Sequence, residues 1–359
     1  MVKILHVANF GRKAGGAYHH SVEYKLTNGL IRNGHQTVNV SDRDLARMGS
    51  FLGHRKFGVR AANREFLSLC RSMEPEVILL GHADVITAET LSQVRRSIDS
   101  VRILQWNVDA LFTPANVERI LSKRDQVDAT LVSTAGPALA ALAAPGHVVG
   151  YLPNPVDYSI EAGANHLSSA LPYDLFFTCG DDRLERNAAG ESMLPSQWLG
   201  ALSTEIAHMR PLVAGMNGAP PLVGAAYARA LTSCAVGLNL SRRNDFYLYS
   251  SDRMAHFCGN GLAVFMDRAT GFGDLFGEDE LALFSSRDEL VDKMRQILRY
   301  PKARQKLAGA GRARYHALFN EQKIARYVLD VAMGTLRASD YEWSLLTPPL
   351  LGAISGSAD

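Results

Sequence analysis

The chain has 359 residues, long for one hydrophobic core and comfortable for two domains of ordinary size. With 47% apolar and 21% charged residues, and no run of about 18 apolar residues, it has the composition of a soluble globular protein and gives no sign of a membrane span. A net charge of +2 makes no case for nucleic acid. Cys70, Cys179, Cys234 and Cys258 form no CxxC pair, which argues against a zinc site or disulfide framework and fits a reducing cytoplasm.

The opening, MVKILHVANF, has a short apolar run like that of a signal peptide. Gly11, Arg12 and Lys13 stand where a small-residue cleavage site would be needed, so residues 3–10 read as a first strand. Further strands are predicted at 36–40, 76–81, 101–106, 129–133 and 147–152, with helices at 18–32, 59–73, 88–98 and 116–124. Short apolar runs alternating with helices predict a parallel sheet covered on both faces. Residues 1–150 hold 18 Lys and Arg against 13 Asp and Glu. Part of that excess is local: between Leu45 and Arg64, Arg47, Arg55, Lys56, Arg60 and Arg64 occur without an acid, interleaved with Met48, Phe51, Leu52 and Phe57. This stretch reads either as a solvated loop and helix face or as a surface that meets anionic lipid or a phosphorylated acceptor.

LPNPVD at 152–157, with two prolines bracketing an asparagine, predicts an extended crossing between domains. Strands follow at 174–179, 211–214, 235–240 and 262–266, with part of a short helix at 205–208 and another helix at 221–231. Ser286, Arg287, Asp288 and Glu289 have capping-box spacing ahead of a helix at 290–298. Pro301 opens a helix through 318, 321–333 makes another, and the chain is expected to fray from Pro348. The predicted domains are therefore 1–152 and 153–335, with a tail at 336–359. The fold class is α/β, two doubly wound Rossmann-like domains facing each other, with ligands at the carboxyl ends of their strands.

The loop GRKAGGAYHH at 11–20 lacks GxGxxG spacing, which disfavours a nicotinamide-type dinucleotide. Gly15 and Gly16 either let backbone N–H groups approach an anion or sugar hydroxyl, or merely turn the chain. His19 and His20 are expected on different helix faces, so no metal site is predicted. In RMAHFCGNGLAVF, at 253–265, Cys258 reads either as a proton-abstracting thiol in a turn or as packing at the end of a short helix.

Four stretches, taken in order, resemble glycosyltransferases of the GT-B fold. RKAGGAYHHSVEYKLTNGLIRNGHQTVNV is similar to their opening and LPNPVD to their interdomain linker. AVGLNLSRRNDFYLYSSDRMAHFCGNGLAVFMD is similar to their donor-binding core, and GEDELALFSSRDELVDKMRQILRYPKARQKLAGAGRARY to their C-terminal portion. The subgroup most resembled is the spore-maturation (CgeB-like) group. The resemblance implies a cytoplasmic enzyme of polysaccharide biosynthesis, peripheral to the membrane if the basic stretch docks there. It would move a sugar from a nucleotide-sugar donor to a hydroxyl of a glycan, lipid-linked glycan or other acceptor. No metal or further cofactor is implied, with the donor on the C-terminal domain and the acceptor on the N-terminal one.

The resemblance also assigns residues. Ser250, Ser251 and Asp252 would cap a helix running from about Arg253 to 259–261, its N–H groups and Arg253 meeting the donor's phosphates and Cys258 buried as packing. Many relatives carry two glutamates eight residues apart, but aligning Gly261 puts Leu248 and His256 there. His256 would then bond a ribose or base, and Asp245 stands as a substitute acid at a shifted spacing. Gly180, Arg183 and Arg186 in CGDDRLERN match a diphosphate-binding loop, or else pair with Asp181, Asp182 and Glu185 at the surface. Arg242 and Arg243 follow the strand ending near Asn239, where one would line the cleft. His82 and Asp109 follow strands on the acceptor side, where either would serve as general base in an inverting transfer or fill an ordinary loop role. Two rivals remain: a sugar-nucleotide epimerase on the same fold, and a non-catalytic nucleotide-sugar-binding or partner module.

Overall fold

KILHVA, with five of its six residues buried, makes Lys3–Ala8 the first strand, β1; the strands at Val77–Gly81, Arg102–Asn107 and Ala129–Val132 are likewise almost wholly buried, whereas the edge strand at Gln36–Ser41 buries only Val40. A computed structural model describes residues 1–11 and 15–343. After β1 come α1 (Val22–Arg32), β2 (Gln36–Ser41), α2 (Asp42–Met48), α3 (Val59–Met73), β3 (Val77–Gly81) and α4 (Ala88–Ser97). Then follow β4 (Arg102–Asn107), α5 (Pro114–Leu121), β5 (Ala129–Val132), α6 (Gly136–Ala140) and β6 (Val148–Tyr151). The six strands are parallel in the order β2-β1-β3-β4-β5-β6. Because the chain moves from β1 to one side and returns to the other, the crossover direction reverses at the carboxyl ends of β1 and β3, where such sheets open a crevice.

The second sheet begins with β7 (Tyr173–Thr178), followed by the short hairpin β8 (Arg186–Ala188) and β9 (Glu191–Met193). Next are α7 (Pro195–Glu205), β10 (Pro211–Ala214), α8 (Gly224–Thr232), β11 (Cys234–Asn239), α9 (Arg253–Asn260), β12 (Ala263–Asp267) and β13 (Ala282–Phe284). The chain continues through α10 (Arg287–Arg299), α11 (Pro301–Phe319) and α12 (Glu321–Met333). Five parallel strands run β10-β7-β11-β12-β13, with the reversal at β7 and β11. Leu175, Phe177, Trp198, Val236, Phe265 and Phe284 fill the core of this sheet. Leu5, Val7, Phe66, Ile78, Leu80 and Ile103 fill that of the first. Both are therefore the doubly wound α/β sheets expected. Among the described residues no helix is long and apolar enough to cross a membrane.

Contacts divide the chain into Met1–Pro153 with the residues from Glu321 onward, and Asn154–Asn320. The expected division placed 321–335 with the second domain. Instead α12 packs on α1 of the first, where Arg32 pairs with Glu321 and Asn33 Nδ2 donates to the Gln322 carbonyl at 2.8 Å. The segment 154–160 is seated in the second unit: Val156 N–H donates to Phe319 O at 2.9 Å, and the Asn154 carbonyl accepts from Tyr315 Oη at 2.9 Å.

Other differences have local causes. α1 starts at Val22, not 18, so His19 and His20 lie in a turn, ring against ring at 5.4 Å, and not on opposite helix faces. Of the helix expected at 205–208 only Glu205 is helical, as the last residue of α7, whose earlier turns were missed; 206–208 form a bend and turn. α2, α6, β8, β9 and β13 were also missed, and the three strands are only three residues long. The fraying expected from Pro348 lies outside the described residues.

Candidate active site

In the second unit, α9 occupies Arg253–Asn260 and stops at Gly261, whose φ of 76° is the left-handed conformation that ends helices. Its start is fixed by the strand ends. Ser250 O accepts from Asn154 Nδ2 at 3.0 Å, and Ser250 Oγ accepts from Asn239 Nδ2 at 3.3 Å. Asp252 sits at the cap position in helical backbone and makes no capping bond, so the cap is not the side-chain kind expected. Arg253 then reaches across the reversal of the sheet. Its guanidinium donates to Thr178 O after β7 at 2.7 Å, to Leu240 O after β11 at 2.9 Å, and to Ser251 Oγ at 2.9 Å.

Arg186 lies beside it. Its loop is held by the bond from Asn187 N–H to Ser241 O at 2.8 Å and from Trp198 Nε1 to Arg186 O at 2.9 Å. The Arg186 guanidinium is buried and donates to the carbonyls of Leu184, Glu185 and Asp181. Burial lowers its pKa from the usual arginine value, and the nearby charges of Arg253 and Arg242 lower it further. Both Arg186 and Arg253 thus give their hydrogen bonds to neutral oxygens. Two positive charges stand together at the carboxyl ends of β7 and β11 with no carboxylate among the described residues bonded to either, an arrangement that favours an anion.

The other predicted arginines differ. Arg183 is exposed and forms a fork on Asp181, with Nε and Nη2 each at 2.9 Å, which holds the Asp181 carboxyl down at about 2. Arg243 makes the same fork on Asp245 and lies over the Phe246 ring, and its donated hydrogen bonds hold the Asp245 carboxyl below the usual range. Both are exposed surface pairs, the alternative left open for the 180–187 loop. Arg183→Gln and Arg243→Gln are therefore expected to leave nucleotide affinity within about twofold by titration calorimetry. Arg242 is exposed, and Gly180 faces open space.

His256 is turned inward. Its Nδ1 meets Glu161 Oε1 at 2.7 Å with both side chains buried, while Nε2 lies 3.5 Å from Asp252 Oδ2. Glu161 Oε2 also accepts the Asp157 N–H at 2.8 Å, so His256 ties α9 to the segment after the interdomain crossing. The structure thus places His256, expected beside a ribose or base, in a buried pair with carboxylates of this chain. Cys258 is buried, and burial pushes its thiol well above the ordinary range, which leaves it as packing.

In the first unit, Gly81 ends β3 directly opposite Trp106 of β4, and a Cβ there would lie 2.1 Å from the indole ring. That close approach sets His82 edge-on to Trp106, in left-handed backbone with φ of 58°. Asp109, after β4, brings Oδ2 to 3.5 Å from His82 Nδ1 and also accepts from Arg119 Nη2 at 3.3 Å. Burial lowers the His82 pKa from its usual value, Asp109 opposes the shift, and Arg119 adds to it. Two residues expected separately are thus one pair at adjacent strand ends. Arg119 also meets Asp84 at 3.2 Å, and Arg43 pairs with Asp84 too; burial opposes the charged form of Asp84, but the two guanidiniums outweigh it and lower its pKa.

Lys123 was missed. Its buried ammonium donates to the carbonyls of His82 and Ala83, both left-handed residues, and so fixes the turn that carries the imidazole. Burial lowers its pKa to about 8. A lysine in SKRD reads from sequence as a solvated charge; only the fold shows what it clamps. Gly15 and Gly16, with φ of 59° and 79°, are exposed and turn the chain. A cavity of about 330 Å³ lies beyond the ends of β1 and β2, lined in part by Phe10, Tyr24, Ser41, Asp44 and Met48.

Residues 190–330 match a family model described as glycosyl transferase-like. No curated protein matches the chain. Among solved structures, HepE of Anabaena in complex with UDP and glucose aligns with a TM-score of 0.59 at 11% identity, covering 94% of this chain and 100% of that one. AviGT4, a glycosyltransferase involved in avilamycin A biosynthesis, aligns at 0.55 and 13%, covering 93% and 97%. A Listeria monocytogenes protein described as a UDP-N-acetylglucosamine 2-epimerase aligns at 0.51 and 11%, covering 93% and 96%. The chain has the two-domain Rossmann-like fold of these proteins, with a glycosyl transferase-like segment in its second half.

Proposed function

We propose that the protein is a glycosyltransferase that moves a sugar from a nucleoside-diphosphate donor to an acceptor hydroxyl. The observation that carries this reading is the Arg186–Arg253 pair, two guanidiniums that among the described residues bond only to neutral oxygens, where β7 and β11 end. A donor's diphosphate supplies the missing negative charge, and as the glycosyl bond breaks, the same arginines stabilise charge building on the departing phosphate. The match over 190–330 supports the reaction class, and the UDP and glucose bound to HepE support a sugar nucleotide as ligand.

On the acceptor side, His82 removes the hydroxyl proton as the oxygen attacks the anomeric carbon, and Asp109 stabilises the imidazolium that forms. A direct displacement of this kind inverts the anomeric centre. It does not need the glutamate pair, whose positions hold Leu248 and His256. The acceptor is a glycan, lipid-linked glycan or other hydroxyl compound, and the CgeB-like subgroup belongs to the same proposal.

Thermal-shift screening of the full chain with UDP, GDP, ADP, CMP and TDP tests the donor half. One nucleotide is expected to raise Tm, with its effect reduced in Arg186→Gln. Incubating the matching nucleotide sugar with a panel of acceptors tests the rest. A glycosylated product supports transfer, epimerised donor without such a product supports the epimerase, and nucleotide binding without turnover supports a binding module.

A further inference from the structure

The proposed reaction leaves unused a strongly exposed apolar feature of the first unit. Between α2 and α3, Met48, Phe51, Leu52 and Phe57 have relative exposures of 75%, 104%, 72% and 71%. Four large apolar side chains within ten residues thus stand almost wholly in solvent, whereas scattered single ones are ordinary. The loop is not loose chain. Gly53 N–H donates to Ser50 O at 3.0 Å, Phe57 N–H to His54 O at 3.1 Å, and Gly58 N–H to Arg55 O at 3.3 Å.

Its base is clamped by two contacts that only glycine permits. A Cβ on Gly49 would lie 2.4 Å from Ala61 Cβ, and one on Gly58 would lie 1.6 Å from Ala46 O. These close approaches bind α2 to α3 and hold the loop out from both. Around it cations predominate: Arg55, Lys56, Arg60 and Arg64 are exposed, and none makes an ion pair among the described residues, while Glu65 is an exposed acid beside Arg64. Arg47 is the exception, paired with Asp44 at 2.7 Å.

We propose that the 48–57 loop is a docking surface for a bilayer containing anionic phospholipid. The side chains of Met48, Phe51, Leu52 and Phe57 enter the boundary between headgroups and acyl chains, and the four cations contact lipid phosphates. A bilayer accepts projecting apolar side chains without requiring a groove that matches them, and its negative surface complements the surrounding charge. Single-stranded nucleic acid would stack on the two phenylalanines but leave Met48 and Leu52 in water. Met48 also lines the 330 Å³ cavity, so docking here brings that cavity to the membrane surface.

Flotation of the full chain with vesicles of phosphatidylcholine, alone or with one third phosphatidylglycerol, tests the proposal. The expected result is at least tenfold tighter binding to the anionic vesicles, weakened by added salt. Phe51→Ser with Phe57→Ser should reduce binding at least tenfold while nucleotide affinity and circular dichroism stay unchanged. Arg55→Glu with Lys56→Glu should remove the preference for anionic lipid, since each cation near such a surface contributes roughly fivefold. Equal binding to both vesicle types, or to neither, overturns the proposal. So does tighter binding to a single-stranded oligonucleotide than to anionic vesicles, or a concentration-dependent dimer that Phe51→Ser dissolves, because each names a different occupant.

Discussion

Replacing His82 with alanine is expected to lower kcat/KM for glycosyl transfer by about 10²–10⁴-fold, the usual worth of a positioned base. Nucleotide affinity should hardly change, because the donor's phosphates are assigned to Arg186 and Arg253. The pH profile makes the expectation sharper. A base works unprotonated, so activity rises with pH through the His82 pKa, and burial places that pKa below the ordinary 6.5. The acid limb should therefore lie under 6.5 in the wild type. Asp109 raises the His82 pKa. Asp109→Asn should consequently slow the reaction and also move the acid limb to lower pH. A histidine of merely structural importance would lose rate without moving that limb. An unchanged rate in His82→Ala rejects the assignment outright.

Arg253→Ala has the second large effect expected, and it falls on two quantities. Loss of the guanidinium takes a donor from the carbonyls of Thr178 and Leu240. Partly buried acceptors left unsatisfied cost about 1–3 kcal/mol each, so the variant should lose about 2–6 kcal/mol of unfolding free energy in urea titrations. Nucleotide affinity should fall roughly 10–100-fold, in line with a lost charge-assisted contact. Arg253→Lys separates the two roles. It keeps the charge but cannot fork between two strand ends, so it should lose stability while retaining more affinity than alanine does. Destabilisation with no change in nucleotide binding would leave Arg253 as a strut and remove the donor-site assignment.

Much of the fold could be read from the chain because buried parallel strands leave continuous apolar runs such as VILLG and AVFMD, and the helices between them repeat with clear spacing. What escaped was too short or too plain to leave a pattern. The three-residue strands hold no period, and α7, PSQWLGALSTE, begins at a proline without a polar cap residue ahead of it. The site was legible as positions after strands but not as pairings. His82 and Asp109 are far apart in sequence and meet because Gly81 lies in register with Trp106. Nothing in CGDDRLERN tells that Arg183 folds back on Asp181 while Arg186, three residues later, turns inward onto carbonyls. His256 was assigned to the ligand because its place in the motif suggested it. Which way a helical side chain points depends on what packs behind the helix, and here that is Glu161, from a segment nearly a hundred residues earlier.

The return of α12 to the first unit has a consequence for how the chain is made. Residues 154–320 interrupt the first unit as an insertion whose two ends lie side by side, joined by the Val156–Phe319 bond. A nascent chain leaving the ribosome can therefore pair β1 through β6 early, yet the surface of α1 that receives α12 stays bare until the entire insert has been synthesised. Chaperone demand during translation should be concentrated in that interval, and truncation before Glu321 should yield aggregation rather than an independent amino-terminal fragment.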